Sequence, residues 1–125
     1  MRDVIATKEG PQAIGPYSQA IRANGFVFVS GQVAIDPATQ QFVAGDVAAQ
    51  TDRAIKNLAG ILKAADSSLE RVVRATVFLK NMSDFAAMNE VYAKHFSFAP
   101  PARSTVEVAR LPKDALVEID VIALT

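Results

Sequence analysis

The order of local patterns along this chain predicts an α+β fold, a mixed sheet with two helices on one of its faces. Three observations predict it. Strand-like runs rich in β-branched and aromatic residues occupy both ends of the chain. Two stretches with three- and four-residue apolar spacing, over residues 47–62 and 85–96, separate the later strands. No linker, repeat or low-complexity tract interrupts them, so residues 1–125 are expected to form a single domain.

Asp3 to Thr7 reads as a first strand, and Lys8 to Pro16 as a loop punctuated by Gly10-Pro11 and Gly15-Pro16. Ser18 to Ala23 and Phe26 to Ser30 read as a hairpin, because Asn24-Gly25 between them suits a tight turn. Phe26-Val27-Phe28-Val29 is apolar on both faces, which predicts a central strand covered on both sides. Gly31 interrupts that strand and predicts a bulge, or a close approach of its backbone to another group. Asp36-Pro37-Ala38-Thr39 is a turn.

Asp46 suits the N-cap of a helix running to about Ala65, with Val47, Thr51, Ile55, Leu58 and Leu62 on its buried face. Leu69 to Lys80 reads as a strand with Val73, Ala75, Val77 and Leu79 on one face and Arg74, Thr76 and Phe78 on the other. Ser83 is expected to cap a second helix that buries Phe85, Met88, Tyr92 and Phe96. A strand containing Arg103, a turn at Leu111-Pro112-Lys113-Asp114 and a last strand from Leu116 to Leu124 complete the order. Two helices cover one face of such a sheet. The apolar residues of the other face are then expected to meet a second subunit.

Composition narrows the function classes. There is no cysteine, hence no disulfide, thiol nucleophile or thiolate metal site. Thirteen basic residues balance thirteen acidic ones and are interspersed with them, which argues against a nucleic-acid partner. No apolar run approaches the ~20 residues needed to cross a bilayer, and Met1-Arg2-Asp3-Val4-Ile5 is unlike a signal peptide, so a cytoplasmic location is expected. Phosphate-cradling glycine loops, metal-ligand clusters and Gly-x-Ser-x-Gly elbows are absent from the sequence.

The candidate chemistry lies near the end of the chain. Arg103 follows Pro101-Ala102, so a stiff, extended chain delivers its guanidinium, a group suited to bidentate capture of a small carboxylate. Glu118 sits among Leu116, Val117, Ile119 and Val121, where a carboxylate must be paired, hydrogen-bonded or neutral. The two also suit a structural ion pair across a hairpin. Asp120 shares Glu118's face, and two carboxylates so close raise one pKa if both are buried. Tyr17 suits a pocket lid or plain packing. Ser30-Gly31-Gln32 ends an apolar strand, where a glycine N–H can reach a ligand. Asn89 follows the core position Met88. The lone histidine, His95, is accounted for by the dipole at a helix C-terminus.

The motifs Gly15-Pro16-Tyr17-Ser18-Gln19-Ala20, Val29-Ser30-Gly31-Gln32, Asn89-Glu90-Val91-Tyr92, Pro101 through Pro112, and Val117-Glu118-Ile119 resemble those of the reactive intermediate deaminase (RidA, YjgF) family. The resemblance spans essentially the whole chain. It implies a chorismate-mutase-like sandwich and a homotrimer with a central barrel and clefts between subunits. It also implies cofactor-free hydrolysis of 2-imino acids such as 2-iminobutanoate and 2-iminopropanoate, giving 2-oxo acids and ammonia. On that likeness Arg103 would hold the substrate carboxylate and Glu118 would handle water and protons. Gly31 N–H and the Thr105 main chain would contact substrate, Tyr17 would close the cleft, and Ser30 and Asn89 would shape it. Thr105 departs from the family pattern, in which cysteine is frequent. Ribonuclease activity with inhibition of translation, a small-carboxylate-binding regulator and a chaperone are the alternative readings.

Overall fold

The computed structural model describes residues 1–125 and has the α+β architecture expected. Strands β1 (Arg2–Ile5), β2 (Ala20–Ala23) and β3 (Phe26–Gln32) form an antiparallel set. Asn24 and Gly25 make the β2–β3 turn with φ of 53° and 82°. Both values are left-handed, where Asn and Gly are the least strained residues. Two short strands, β4 (Ile35–Asp36) and β5 (Gln41–Phe42), pair around the turn at 37–40. Helix α1 (Val47–Ala64) begins where expected, with Asp46 Oδ1 accepting from the Ala49 N–H at 2.9 Å. Strand β6 (Val72–Leu79), helix α2 (Phe85–His95), strand β7 (Ala102–Glu107) and strand β8 (Val117–Leu124) follow.

The main sheet has the order β1-β2-β3-β8-β6-β7. Only β6 and β7 are parallel, because α2 carries the chain back across the sheet between them. Strand β8 lies between β3 and β6, antiparallel to both. Ile55, Leu58, Ile61 and Leu62 of α1 and Met88, Tyr92 and Phe96 near α2 bury one sheet face. There they meet Val27, Val29, Ala75, Val77, Leu79, Ile119 and Val121. Each fully buried aliphatic side chain contributes about 1.5–3 kcal/mol relative to exposure.

The opposite face is bare in the single chain. Register links Val4, Ile21, Phe28 and Ile122 in one row across four strands. Val4 is 61% exposed and Phe28 45%. Strand β3 is thus central, as its sequence predicts, but only the helices cover it.

Several expectations shift. Leu69–Arg71 is a turn of 3-10 helix, and β6 starts at Val72. A bulge then pairs Val72 with Ala123 and Arg74 with Ile122. Val72 is therefore buried and Val73 turned outward, against strict alternation. Ser83 does not cap α2. It lies in a 3-10 turn, Met82–Asp84, and Glu107 Oε1 accepts from the Met82 N–H at 2.7 Å. Phe85 is 38% exposed rather than core. Most consequentially, Arg103 and Glu118 are not on hairpin neighbours. Strand β7 takes β6 as its parallel partner, so β6 separates it from β8.

A candidate active site divided between two sheet faces

Glu118 stands on the bare face of β8, opposite Phe78 of β6. On its other side β3 bulges. Val29 pairs with Val121 and Gln32 with Ile119, so Ser30 and Gly31 together face the single residue Asp120. The bulge brings the Gly31 backbone onto the Glu118 side chain. A Cβ at Gly31 would lie 2.8 Å from Glu118 Oε2 and 2.9 Å from its carboxyl carbon. Only glycine lets the carboxylate lie there undisturbed, the close approach that the sequence suggests.

A cavity of about 560 Å³ opens beside this contact, lined by Tyr17, Ser30, Gly31, Gln32, Lys113 and Glu118 among others. Ser30 Oγ donates to the Ser18 carbonyl at 2.6 Å, tying the bulge to the segment that carries Tyr17. Gln19 is the residue that sequence reasoning missed here. Its amide accepts from the Thr7 N–H at 2.7 Å and donates to the Pro11 carbonyl at 2.7 Å, so it fastens the loop that walls the cavity. Its place in the Gly15-Pro16-Tyr17-Ser18-Gln19-Ala20 motif was its signal, from which no role for it was read.

Burial raises the Glu118 pKa above the usual carboxylate range, and the nearby Asp120 charge raises it further. Burial raises Asp120 as well, opposed by its hydrogen bond with Thr76 and by the Arg74 charge. Glu118 is thus a carboxyl group able to exchange a proton at higher pH than an exposed one.

Arg103 occupies the opposite face. It pairs with Ala75, and Ala75 with Val121, all on the helix side. Glu118, Phe78 and Val106 share the bare side. The Arg103 guanidinium carbon lies 4.7 Å from the Tyr92 ring centroid and 5.7 Å from that of Phe85. No ion pair within the chain engages it. Burial raises the Tyr92 pKa, and the Arg103 charge and a loose hydrogen bond that Arg103 donates to the Tyr92 hydroxyl oppose that rise. Arg103 lines a cavity of about 480 Å³ with Asn89, Tyr92, Phe96, Pro100 and Pro101. A half-buried guanidinium against aromatic faces, with no carboxylate beside it, has the chemistry to take an anion.

Thr105 shares this face, opposite Val77, and its Oγ1 is buried without a hydrogen-bond partner. The sequence candidates therefore fall into two groups. Tyr17, Ser30, Gly31 and Glu118 surround one cavity, and Asn89 and Arg103 another. Thr105 lines neither. No cluster of three or more His, Asp or Glu side chains could hold a metal. His95 is engaged elsewhere, with Nε2 2.8 Å from Asp52 Oδ1 across the α1–α2 contact. No helix is long and apolar enough to cross a membrane.

Comparison with known proteins adds four likenesses. The sequence pattern of the family described as Endoribonuclease L-PSP matches residues 7–125. A RutC family protein of Pyrococcus horikoshii is 54% identical over 123 residues, covering 98% of each chain. A mouse protein named 2-iminobutanoate/2-iminopropanoate deaminase is 45% identical over 124 residues, 99% of this chain and 92% of its own. Among solved structures, that of E. coli TdcF with bound serine has a TM-score of 0.94 at 40% identity, covering 98% of each chain.

Proposed function

This chain belongs to the Endoribonuclease L-PSP family, the YjgF/RutC/RidA group, and on that premise we propose that it hydrolyses 2-imino acids to 2-oxo acids and ammonia. The observation that carries the reading is Arg103, a half-buried guanidinium with no carboxylate partner in its own chain. It is placed to take a substrate carboxylate in a bidentate pair. The serine in the related TdcF structure, a small molecule with a carboxylate, accords with such a ligand.

In the reaction, water oxygen adds to the imine carbon as one water proton leaves and the nitrogen gains a proton. The tetrahedral carbinolamine then loses its C–N bond. The nitrogen takes a second proton and departs as ammonia while the hydroxyl gives up its proton, leaving the 2-oxo acid. Glu118 serves as the proton carrier in both halves, accepting from water and donating to nitrogen. Gly31 N–H orients the substrate, Tyr17 closes the cleft, and Ser30 and Asn89 fix its shape. Thr105 contacts substrate through its main chain, a role threonine fills as well as cysteine. Orientation by one anchor can lower the barrier by several kcal/mol. No cofactor is required.

A homotrimer with a central barrel completes the reading. Arg103 and Glu118 do not meet within one chain, so the site we propose forms at the interface between neighbours, Arg103 from one and Glu118 from the next. The uncovered row Val4, Ile21, Phe28 and Ile122 gives such an assembly its apolar surface. The test combines the purified protein with a dehydratase that releases 2-aminoacrylate. Faster pyruvate and ammonia release than in buffer supports the reading. An unchanged rate overturns it, and RNA cleavage in a parallel arm would point to the nuclease named in the family description.

A further inference from the structure

We propose that Tyr92 and Phe85 are positioning residues that hold the Arg103 guanidinium in its anion-binding orientation. The inference rests on the reading of Arg103 as the carboxylate anchor. Arginine has many rotamers, and an anchor that must be ordered at each binding event loses affinity to that ordering. Arg103 needs something to fix it, and its own chain supplies no carboxylate to do so. What the chain supplies is two rings. Tyr92 lies 4.7 Å from the guanidinium carbon and Phe85 lies 5.7 Å from it. Both are within the range of cation–π attraction, which holds a planar cation without occupying its N–H donors. A salt bridge would have fixed Arg103 equally well but would have consumed those donors.

The two rings differ in how firmly they are held. Tyr92 is 5% exposed and packs on Phe96 with ring centroids 4.5 Å apart, so its orientation is set by the core. Phe85 is 38% exposed at the first turn of α2. An aromatic ring left that open at a helix start is poorly explained by packing and well explained by the cation beside it. Tyr92 Oη is buried, and its contact with the Arg103 guanidinium falls short of full hydrogen-bond geometry. A buried hydroxyl so poorly paired costs stability, and the Arg103 guanidinium is the group that acts on it, so Tyr92→Phe is the variant that separates the ring from the hydroxyl.

The test measures binding of 2-oxobutanoate, the carboxylate product of 2-iminobutanoate hydrolysis, by calorimetric or NMR titration of the intact protein. Tyr92→Leu should weaken binding about fivefold or more, the loss of one desolvated cation–π contact. KM should rise in step while kcat changes little, and Tyr92→Phe should recover most of the lost affinity. Phe85→Leu, at a half-open site where folding is safe, should weaken binding about threefold. Neither leucine variant should weaken binding further in an Arg103→Ala background, because both act through Arg103. Wild-type binding in Phe85→Leu and in folded Tyr92→Leu overturns the inference, as does an equal loss in the Arg103→Ala background. Unaltered binding in Arg103→Ala itself would instead overturn the anchor reading on which this one rests.

Discussion

Arg103 and Glu118 lie on opposite faces of the same sheet, with β6 between their strands. A side chain on one face of a continuous sheet cannot reach its other face. Arg103 is on the edge strand, but its guanidinium is turned onto Tyr92 and Phe85 on the helix side, so in the proposed function the two residues serve one substrate across an interface between chains.

Mixing Arg103→Ala protein with Glu118→Gln protein should restore activity that neither has alone. Each mixed assembly would contain a cleft built from the intact Arg103 of one chain and the intact Glu118 of another. Subunit exchange confirmed by mass spectrometry, with no recovered activity, would rule out the shared site. A monomeric mass in light scattering would remove the assembly itself.

Gly31→Ala should lower turnover sharply while the protein stays folded. The added methyl would lie 2.8 Å from Glu118 Oε2 and displace the mobile end of that side chain rather than the backbone. A loss of about tenfold or more in kcat corresponds to at least ~1.4 kcal/mol of barrier. Activity equal to wild type would mean that Glu118 has no fixed working position.

The acidic limb of kcat/KM against pH should fall above the ordinary Glu value of 4.5, because burial and Asp120 both raise the Glu118 pKa. Asp120→Asn removes the second cause and should move the limb to lower pH. Stability has a matching sign. A carboxyl group with a raised folded pKa binds more protons folded than unfolded, so its cost is absent at low pH and grows as pH rises to the folded value. Glu118→Gln should therefore stabilise the fold at about pH 7 and lose that advantage at about pH 4. Thermal melts at the two pH values decide it.

Thr105→Cys should leave activity within about twofold, a barrier change of less than ~0.5 kcal/mol. Thr105 Oγ1 is buried and unpartnered. Thr105→Val should then raise stability, by about 1 kcal/mol in denaturant titration, since it removes a desolvated hydroxyl. A destabilised Thr105→Val would show that the hydroxyl finds a partner in the assembled protein.

What the sequence made legible was local. Asn24-Gly25 and Asp46 act on residues within a few positions, and each took the role its chemistry suggests; Gly31 showed that something approaches it closely, but not that the distant Glu118 does. The exchange of Val72 for Val73 came from a bulge, which no alternation pattern reveals. The separation of Arg103 from Glu118 came from the parallel pairing of β6 with β7, a contact between distant segments. The identities of the candidate residues were visible through the family motifs. Their grouping into two cavities was not, because strand order decides which face each side chain meets. Phe85 and Tyr92 read as core because their spacing fits a buried stripe, and spacing carries no mark of a cation above a ring.

Strand β8 is the last in sequence and lies in the middle of the sheet, pairing with β3 on one side and β6 on the other. During synthesis, everything before Val117 would emerge with a gap at its centre. β3 and β6 would have unpaired inner edges until the final strand leaves the ribosome, and such edges invite pairing with other chains. Folding of the sheet should accordingly wait for β8. Ribosome-stalled chains of increasing length should stay protease-sensitive until β8 clears the exit tunnel, and protection of shorter chains would contradict it.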